Sequence, residues 1–198
     1  MKVKLTIEVP NWLDKICAWP VIVCRRRRYG YPFRRIRLTE GKFTIVEPQD
    51  FYKFNNFDWC AKGSRGRVYA VRFDNNSDRG KTISLHREIM KAPAGLLVDH
   101  RNDDTLDNRR GNLRLATYSQ NGCNSRIDKS KASSQFRGVR FRKRAGRWVA
   151  TIRYLGKKVW LGSFKNEIEA AKAYDEAAKK YHGEFARLNF MDAARVVW

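Results

Sequence analysis

Asp99 and His100 stand side by side at the end of an apolar run, Leu96-Leu97-Val98. Asn108 and Asn112 follow in and just after a polar loop, and Asn121 lies further on. The carboxylate of Asp99 and the amide oxygen of Asn121 are hard donors, suited to a partly hydrated Mg²⁺ or Mn²⁺ rather than to thiolate-seeking zinc. His100 is the cluster's one histidine, and an ordinary imidazole pKa of about 6.5 suits a general base at neutral pH. Such a set could hydrolyse a phosphodiester: the base activates water while the cation neutralises the scissile phosphate and the departing 3′ oxygen. A plainer reading is a polar loop of Asp, Asn and Arg that stabilises its own turns. Asp103, Asp104 and Asp107 do not have the spacing of an EF-hand calcium loop.

The elements that must hold these residues are legible in outline. Adjacent strand residues point to opposite faces, so Asp99 and His100 share a site only if the strand ends or twists there. The polar run from Arg101 supplies that end. Asn112–Tyr118 alternates like a strand, and Ser119 is placed to cap a helix through Arg126, completing a strand-loop-strand-helix unit. Upstream, Trp59–Phe73 reads as a hairpin about Lys62–Gly66, and Leu85–Met90 as a short helix containing His86. Downstream, Phe136–Arg142, Arg147–Tyr154 and Lys157–Ser163 read as three strands with turns at Ala145-Gly146 and Leu155-Gly156. The middle strand sets Trp148, Ala150 and Ile152 on one face and Arg147, Val149, Thr151 and Arg153 on the other. A helix follows, with Asn166 as N-cap, Glu169 completing a capping box, and Ile168, Ala171, Tyr174, Ala178 and Tyr181 on one stripe before Gly183.

Charge points to the partner. The 198 residues carry 42 Lys+Arg against 20 Asp+Glu, a formal +22. That fits a polyanion better than an anionic metabolite, with nucleic acid ahead of an acidic membrane surface. Seven arginines and no acid lie between Arg25 and Arg37, and twelve Lys/Arg face only Asp128 between Arg126 and Trp160. The first run reads either as a solvated basic face or as a surface that tracks phosphates. No apolar run approaches the ~20 residues of a membrane span, and the charges Arg25–Arg28 follow their apolar run, the reverse of a signal peptide. Cys17, Cys24, Cys60 and Cys123 form no CxxC pair, so reduced, partly buried thiols in an intracellular protein are expected; the expected location is cytoplasmic and nucleoid-associated, with a bacterial or phage origin ahead of a plant nucleus.

Several stretches taken together resemble an HNH homing-type endonuclease. They are Leu85-His-Arg-Glu-Ile-Met90, Val98-Asp-His100, Leu106 through Thr117, and Ser119-Gln-Asn121, with Gly41–Asp50 similar to a segment that often precedes them. The resemblance covers roughly residues 38–126. It implies His100 as general base, Asp99 and Asn121 as ligands of Mg²⁺ (or Mn²⁺), and Asn112 as the central asparagine that holds the loop. Asn121 stands where many relatives have a last histidine, an H-N-N variant. His86 lies outside the ββα-metal unit and reads as structural.

Phe136-Arg-Gly-Val-Arg140, Trp148–Arg153, Val159-Trp-Leu-Gly162, Ala170–Asp175 and Leu188-Asn-Phe190 resemble an AP2/ERF DNA-binding domain over residues 135–190. Such domains lay a three-stranded sheet into the major groove, which implies Arg137, Arg140, Arg142, Arg153, Lys158 and Trp160 as DNA-facing residues. The physics agrees, since arginine reads guanine edges and grips phosphates. Trp148 reads as core and Lys157 as a phosphate contact. Lys143-Arg144-Ala145 and Thr151 depart from the plant pattern, so no plant target sequence carries over.

The expected fold is α+β: a basic, β-rich N-terminal extension (1–37), a ββα-metal HNH domain (38–126), a linker (127–134), a three-stranded antiparallel sheet plus helix of AP2/ERF type (135–190), and a tail (191–198). The expected function is metal-dependent hydrolysis of duplex DNA by a monomer or weak homodimer, with no membrane and no small-molecule cofactor. One rival is a non-catalytic DNA-binding regulator whose HNH unit is only scaffold. The other, an RNA binder, would favour aromatic stacking over an arginine-rich sheet face.

Overall fold

In a computed structural model of the chain, residues 11–64, 66–74, 80–123 and 133–190 are described. They fall into two units, the first built from residues up to 94 together with 98–115, the second from 95–97 and from 116 onward.

The described part of the first unit opens on a helix, α1 (Asn11–Tyr29), where a β-rich extension was expected. The helix runs on through Pro20, and Arg26–Arg28 in the last turn complement the negative end of the helix dipole. Asp14 anchors the helix, accepting from Arg34 at 3.0 Å and from the Tyr52 hydroxyl at 2.8 Å. Next comes a hairpin, β1 (Arg34–Arg37) with β2 (Phe43–Val46), in antiparallel register from Arg34↔Val46 to Arg37↔Phe43. The expected boundary at residue 37 falls inside this hairpin, whose Ile36 and Val46 are core residues. Short α2 (Pro48–Phe54) follows, with proline in its first turn, where no N–H is needed.

A three-stranded antiparallel sheet comes next: β3 (Cys60–Ser64), β4 (Arg67–Phe73) and β5 (Thr82–Ser84), in spatial order β3-β4-β5. It confirms the hairpin expected about residues 62–66 and leads into α3 (Leu85–Met90). Strands β6 (Leu97–His100) and β7 (Leu113–Ala116) pair with each other. Phe54, Ile36, Leu85, Ile89 and Val46, each at most 1% exposed, make the centre of one core with Trp59 and Leu113.

In the second unit α4 (Tyr118–Cys123) starts at a reciprocal cap. Thr117 N donates to Gln120 Oε1 at 2.8 Å, and Gln120 N to Thr117 Oγ1 at 3.2 Å. Thr117 thus takes the capping role expected of Ser119. The stretch 124–132, most of the expected linker, lies outside the described residues. Strands β8 (Val139–Arg142), β9 (Arg147–Tyr154) and β10 (Lys157–Phe164) form an antiparallel sheet in the order β10-β9-β8, and α5 (Glu167–His182) packs on it. Asn166 caps α5 as expected, accepting from Ile168 N at 2.8 Å, an interaction worth about 1 kcal/mol. Ala170, Ala171 and Ala178 are fully buried, small enough to bring helix and sheet together, whereas Ile168, expected on that stripe, is 47% exposed. Leu155 and Gly156 both have positive φ (48° and 76°), the two-residue turn that matches strand twist. The other turn is a 3₁₀ segment, Lys143–Ala145, closed by left-handed Gly146.

Candidate functional site

The first candidate site is built on β6, on the loop 101–112 and on β2. The buried residues of β6 are its polar ones: Asp99 is 7% and His100 5% exposed, while Val98 is only half-buried. The strand runs through His100, and the two neighbours go to separate partners. Asp99 Oδ2 accepts from Arg114 Nε at 2.9 Å and from its NH2 at 2.7 Å. The His100 Nε2 atom lies 3.2 Å from Asn108 Oδ1.

The loop is clasped from several sides. Asn112 donates through Nδ2 to Asp107 O at 2.8 Å and accepts at Oδ1 from Asn102 N at 3.1 Å, a loop-holding geometry. Buried Asp107 takes a two-point bond from Arg109 (2.8 and 2.6 Å) and another from Asn102 Nδ2 at 2.9 Å. Arg110 makes a matching pair with Asp50, both bonds 2.8 Å. Strand β2 grips the loop by backbone: Ile45 N donates to Leu106 O at 2.9 Å, and Asn108 N to Ile45 O at 2.8 Å. The segment 41–50 therefore packs on the loop carrying Asn108.

His86, read from the sequence as structural, packs against the ring of His100. Its ring lies 5.4 Å from that of His100, edge to face, and Tyr69 is 5.6 Å from His86 and 6.3 Å from His100. Burial, then repulsion from His100 and Arg87, pushes the His86 imidazole down to about 3. Burial also holds His100 below its ordinary value; its hydrogen bond with Asn108 and the carboxylates of Asp99, Asp107 and Asp104 oppose this in part. Both rings are therefore neutral at pH 7, the state in which one nitrogen can accept a proton. No short-range pattern could reveal the pairing, because α3 reaches β6 only through the core.

Asn121 is partly exposed on α4. Asn121 belongs to the second unit and Asp99 to the first; an amide oxygen and a carboxylate are each hard donors of the kind that Mg²⁺ or Mn²⁺ takes. Among the described residues no three His, Cys, Asp or Glu side chains gather to hold a metal. Cys17 and Cys24 are free and exposed rather than partly buried, and Cys60 is free and half-buried.

The second candidate site is the outer face of the β8-β9-β10 sheet. Register sets Arg142 opposite Arg147, Arg140 opposite Val149, Arg153 opposite Lys158 and Thr151 opposite Trp160. Arg140, Arg142, Arg153, Lys158 and Trp160 therefore share one face, all exposed, with Trp160 at 66%. Val149, on the same face, is 2% exposed between its two neighbouring strands. The three strands hold Arg140, Arg142, Arg147, Arg153, Lys157 and Lys158 and no acid. Like charges directly opposite each other cost stability in a sheet, so this face is arranged for an anionic partner rather than for its own cohesion. Trp148 turns inward against Phe141 at 4.9 Å.

Arg137 stands apart, just ahead of β8 and half-buried. Its backbone is locked by Asn189, whose Oδ1 accepts from Arg137 N at 2.6 Å and whose Nδ2 donates to Arg137 O at 3.2 Å. Buried Asp175 in turn accepts from the N–H groups of Asn189 and Phe190 at 2.8 and 2.9 Å. Asp175 and Asn189, read only as family landmarks, thus tie the end of the unit to the edge of its sheet. Near the N-terminus, Arg25 donates to Phe33 O at 2.9 Å and Arg34 pairs with Asp14, while Arg26–Arg28, Arg35 and Arg37 are exposed.

Comparison with known families places two matches on these sites. Residues 134–184 match the AP2 domain family and residues 91–123 the HNH endonuclease family. Among curated proteins, "Dehydration-responsive element-binding protein 2A" of Oryza sativa subsp. indica is 54% identical over 59 residues, 29% of this chain and 21% of that protein. "AP2-like ethylene-responsive transcription factor TOE2" of Arabidopsis thaliana is 48% identical over 67 residues, 34% of this chain and 14% of that protein. "Dehydration-responsive element-binding protein 2C", also of Arabidopsis thaliana, is 57% identical over 56 residues, 27% and 16% respectively. The chain thus spans at most about a fifth of these relatives. They are plant proteins and lend no support to a bacterial or phage origin. No described helix is long and apolar enough to cross a membrane.

Proposed function

We propose that the chain is a metal-dependent DNA endonuclease with two parts: a duplex-binding sheet of AP2 type and an HNH-type centre that hydrolyses the phosphodiester. The observation that carries the reading is the buried, hydrogen-bonded His100 on the strand that also bears Asp99, within the segment matching the HNH endonuclease family. A neutral, oriented imidazole in a basic protein is an arrangement for drawing a proton from water beside a phosphate.

In this reading the face of Arg140, Arg142, Arg153, Lys158 and Trp160 enters the major groove, arginines on base edges and lysines on phosphates. Tethering that reader to the site around His100 raises the local concentration of phosphates there without new contacts. His100 takes the proton of the attacking water, and Asn112 keeps the loop closed so that the ring stays in place. Asp99 and Asn121 would hold Mg²⁺ or Mn²⁺, which when bound neutralises charge on the phosphate and the departing oxygen. Homing-type behaviour is part of the same proposal and rests on the resemblance alone.

A second reading is a DNA-binding regulator whose HNH unit is scaffold. Two observations favour it: Asp99 is engaged by Arg114, and the matched relatives carry the names of DNA-element-binding proteins and transcription factors. The deciding experiment incubates supercoiled plasmid, and then genomic DNA, with the full chain and Mg²⁺ or Mn²⁺, against His100→Ala, with binding followed in parallel. Cleavage by the unaltered chain alone, with binding intact in both, supports the nuclease. Tight binding with no metal-dependent cleavage of either DNA supports the regulator.

A further inference from the structure

The environment of His100 determines which ring nitrogen can act, through a chain of hydrogen bonds whose direction can be worked out from one end. Thr44 Oγ1 lies 2.7 Å from Leu106 O. Two oxygens this close are held by a proton between them, and only the hydroxyl has one, so the Thr44 proton is committed to the carbonyl. Thr44 Oγ1 is also 2.7 Å from the Asn108 amide. With its proton already used, the Thr44 oxygen can only accept there, so the NH₂ end of Asn108 must face it. The carbonyl end, Oδ1, therefore faces His100 Nε2 at 3.2 Å. An acceptor at that place requires the hydrogen on Nε2, and the lone pair then resides on Nδ1.

Nothing in this chain has room to rearrange. Thr44 and Asn108 are both 0% exposed, and the backbone of β2 holds the loop on either side through the two bonds of Ile45. Reversing the amide would set two acceptors against each other at 2.7 Å where neither side chain reaches solvent, enough to favour one tautomer about ten-fold or more.

We propose that Thr44 and Asn108 are positioning residues that hold the proton on His100 Nε2 and so make Nδ1 the nitrogen that accepts a proton from water. Neither residue touches substrate; both act through the ring. The role of Nδ1 in hydrolysis rests on the nuclease reading, whereas the tautomer does not.

The test is side-chain ¹⁵N NMR of the full chain at pH 7.5, which distinguishes protonated from bare ring nitrogens, with His100 assigned by the loss of its signals in His100→Ala. The unaltered chain is expected to show His100 with Nε2 protonated and Nδ1 bare. Thr44→Ser keeps the hydroxyl and should preserve that pattern; Thr44→Val and Asn108→Leu remove the constraint and should mix or invert it. Cleavage by Thr44→Val is expected to fall roughly 10–100-fold in kcat with little change in KM, as for other residues that orient a working histidine, and Thr44→Ser should restore it. A bare Nε2 in the unaltered chain overturns the proposal, as does a tautomer unchanged in folded Thr44→Val and Asn108→Leu. If a variant fails to fold, the unaltered chain alone still decides. The expected tautomer in a chain that cleaves no DNA leaves the relay standing and removes the nuclease reading; cleavage with the opposite tautomer does the reverse.

Discussion

Asp99 and Arg114 form a buried two-point ion pair between β6 and β7, Nε and NH2 of the arginine lying 2.9 and 2.7 Å from one carboxylate oxygen, with both side chains only 8% exposed. The carboxylate proposed to hold a metal is thus the counter-ion of an arginine with little access to water. Any cation arriving there shares Asp99 with a fixed positive charge, which argues for a loosely held ion completed by substrate phosphate.

Removing one partner of such a pair leaves the other buried and unpaired, which typically costs about 3–5 kcal/mol. Arg114→Ala is expected to lose stability on that scale in urea unfolding followed by circular dichroism. A loss below about 1 kcal/mol would mean that Asp99 readily reaches water.

His86 makes a separate prediction about acid. Its folded value of about 3 lies below the ordinary 6.5. As pH falls below 6.5 the unfolded chain takes up a proton that the folded chain refuses. The contribution is complete above 6.5 and is lost as pH falls towards 3, at up to about 1.4 kcal/mol per pH unit. His86→Phe should remove that part of the slope between pH 6 and 4, and an identical slope in both chains would contradict the burial of the ring.

If His100 is the base of a nuclease as proposed, the same logic gives the acid limb of cleavage. His100 is held below 6.5 mainly by burial, so the base stays unprotonated to lower pH than a free imidazole. The rate should begin to fall only below pH 6.5. A limb centred at or above 6.5 would assign the titrating group elsewhere.

On the sheet face, Arg153 and Lys158 sit opposite each other. If each neutralises one phosphate, Arg153→Ala lowers the slope of log K against log salt by about 0.9, and the double change with Lys158→Ala by about twice that. Fluorescence anisotropy with duplex DNA at several salt concentrations measures it, and unchanged slopes would move the interface off this face.

Gly138 is where one atom decides whether the second unit packs. A Cβ there would lie 2.1 Å from the Tyr174 ring at a φ of +72°. Gly138→Ala must displace a buried aromatic from the sheet and adopt a strained backbone, costing at least about 1–3 kcal/mol. Thermal unfolding and duplex binding should both weaken, and a neutral result would show that Tyr174 can yield.

Elements set by short-range chemistry were legible along the chain. Asn166 caps α5 two residues from its donor, and Leu155-Gly156 turns between strands that alternate on either side. The arginine face needs only period two and the pairing of neighbouring strands, so it too was readable along the chain, as were Asp99, His100 and the loop-holding asparagine as types in order. Contacts made across long stretches of chain were not legible there. Thr44 reaches Asn108 across 64 residues and Arg110 reaches Asp50 across 60; His86 meets His100 inside the core. Helix α1 took residues expected to be strand, its Asp14 reaching Arg34 and Tyr52 rather than its own neighbours. The physical reason is one of range. Caps and turns draw their stability from atoms a few bonds away, whereas the direction of a buried proton depends on which distant donor the collapsed core brings within 3 Å.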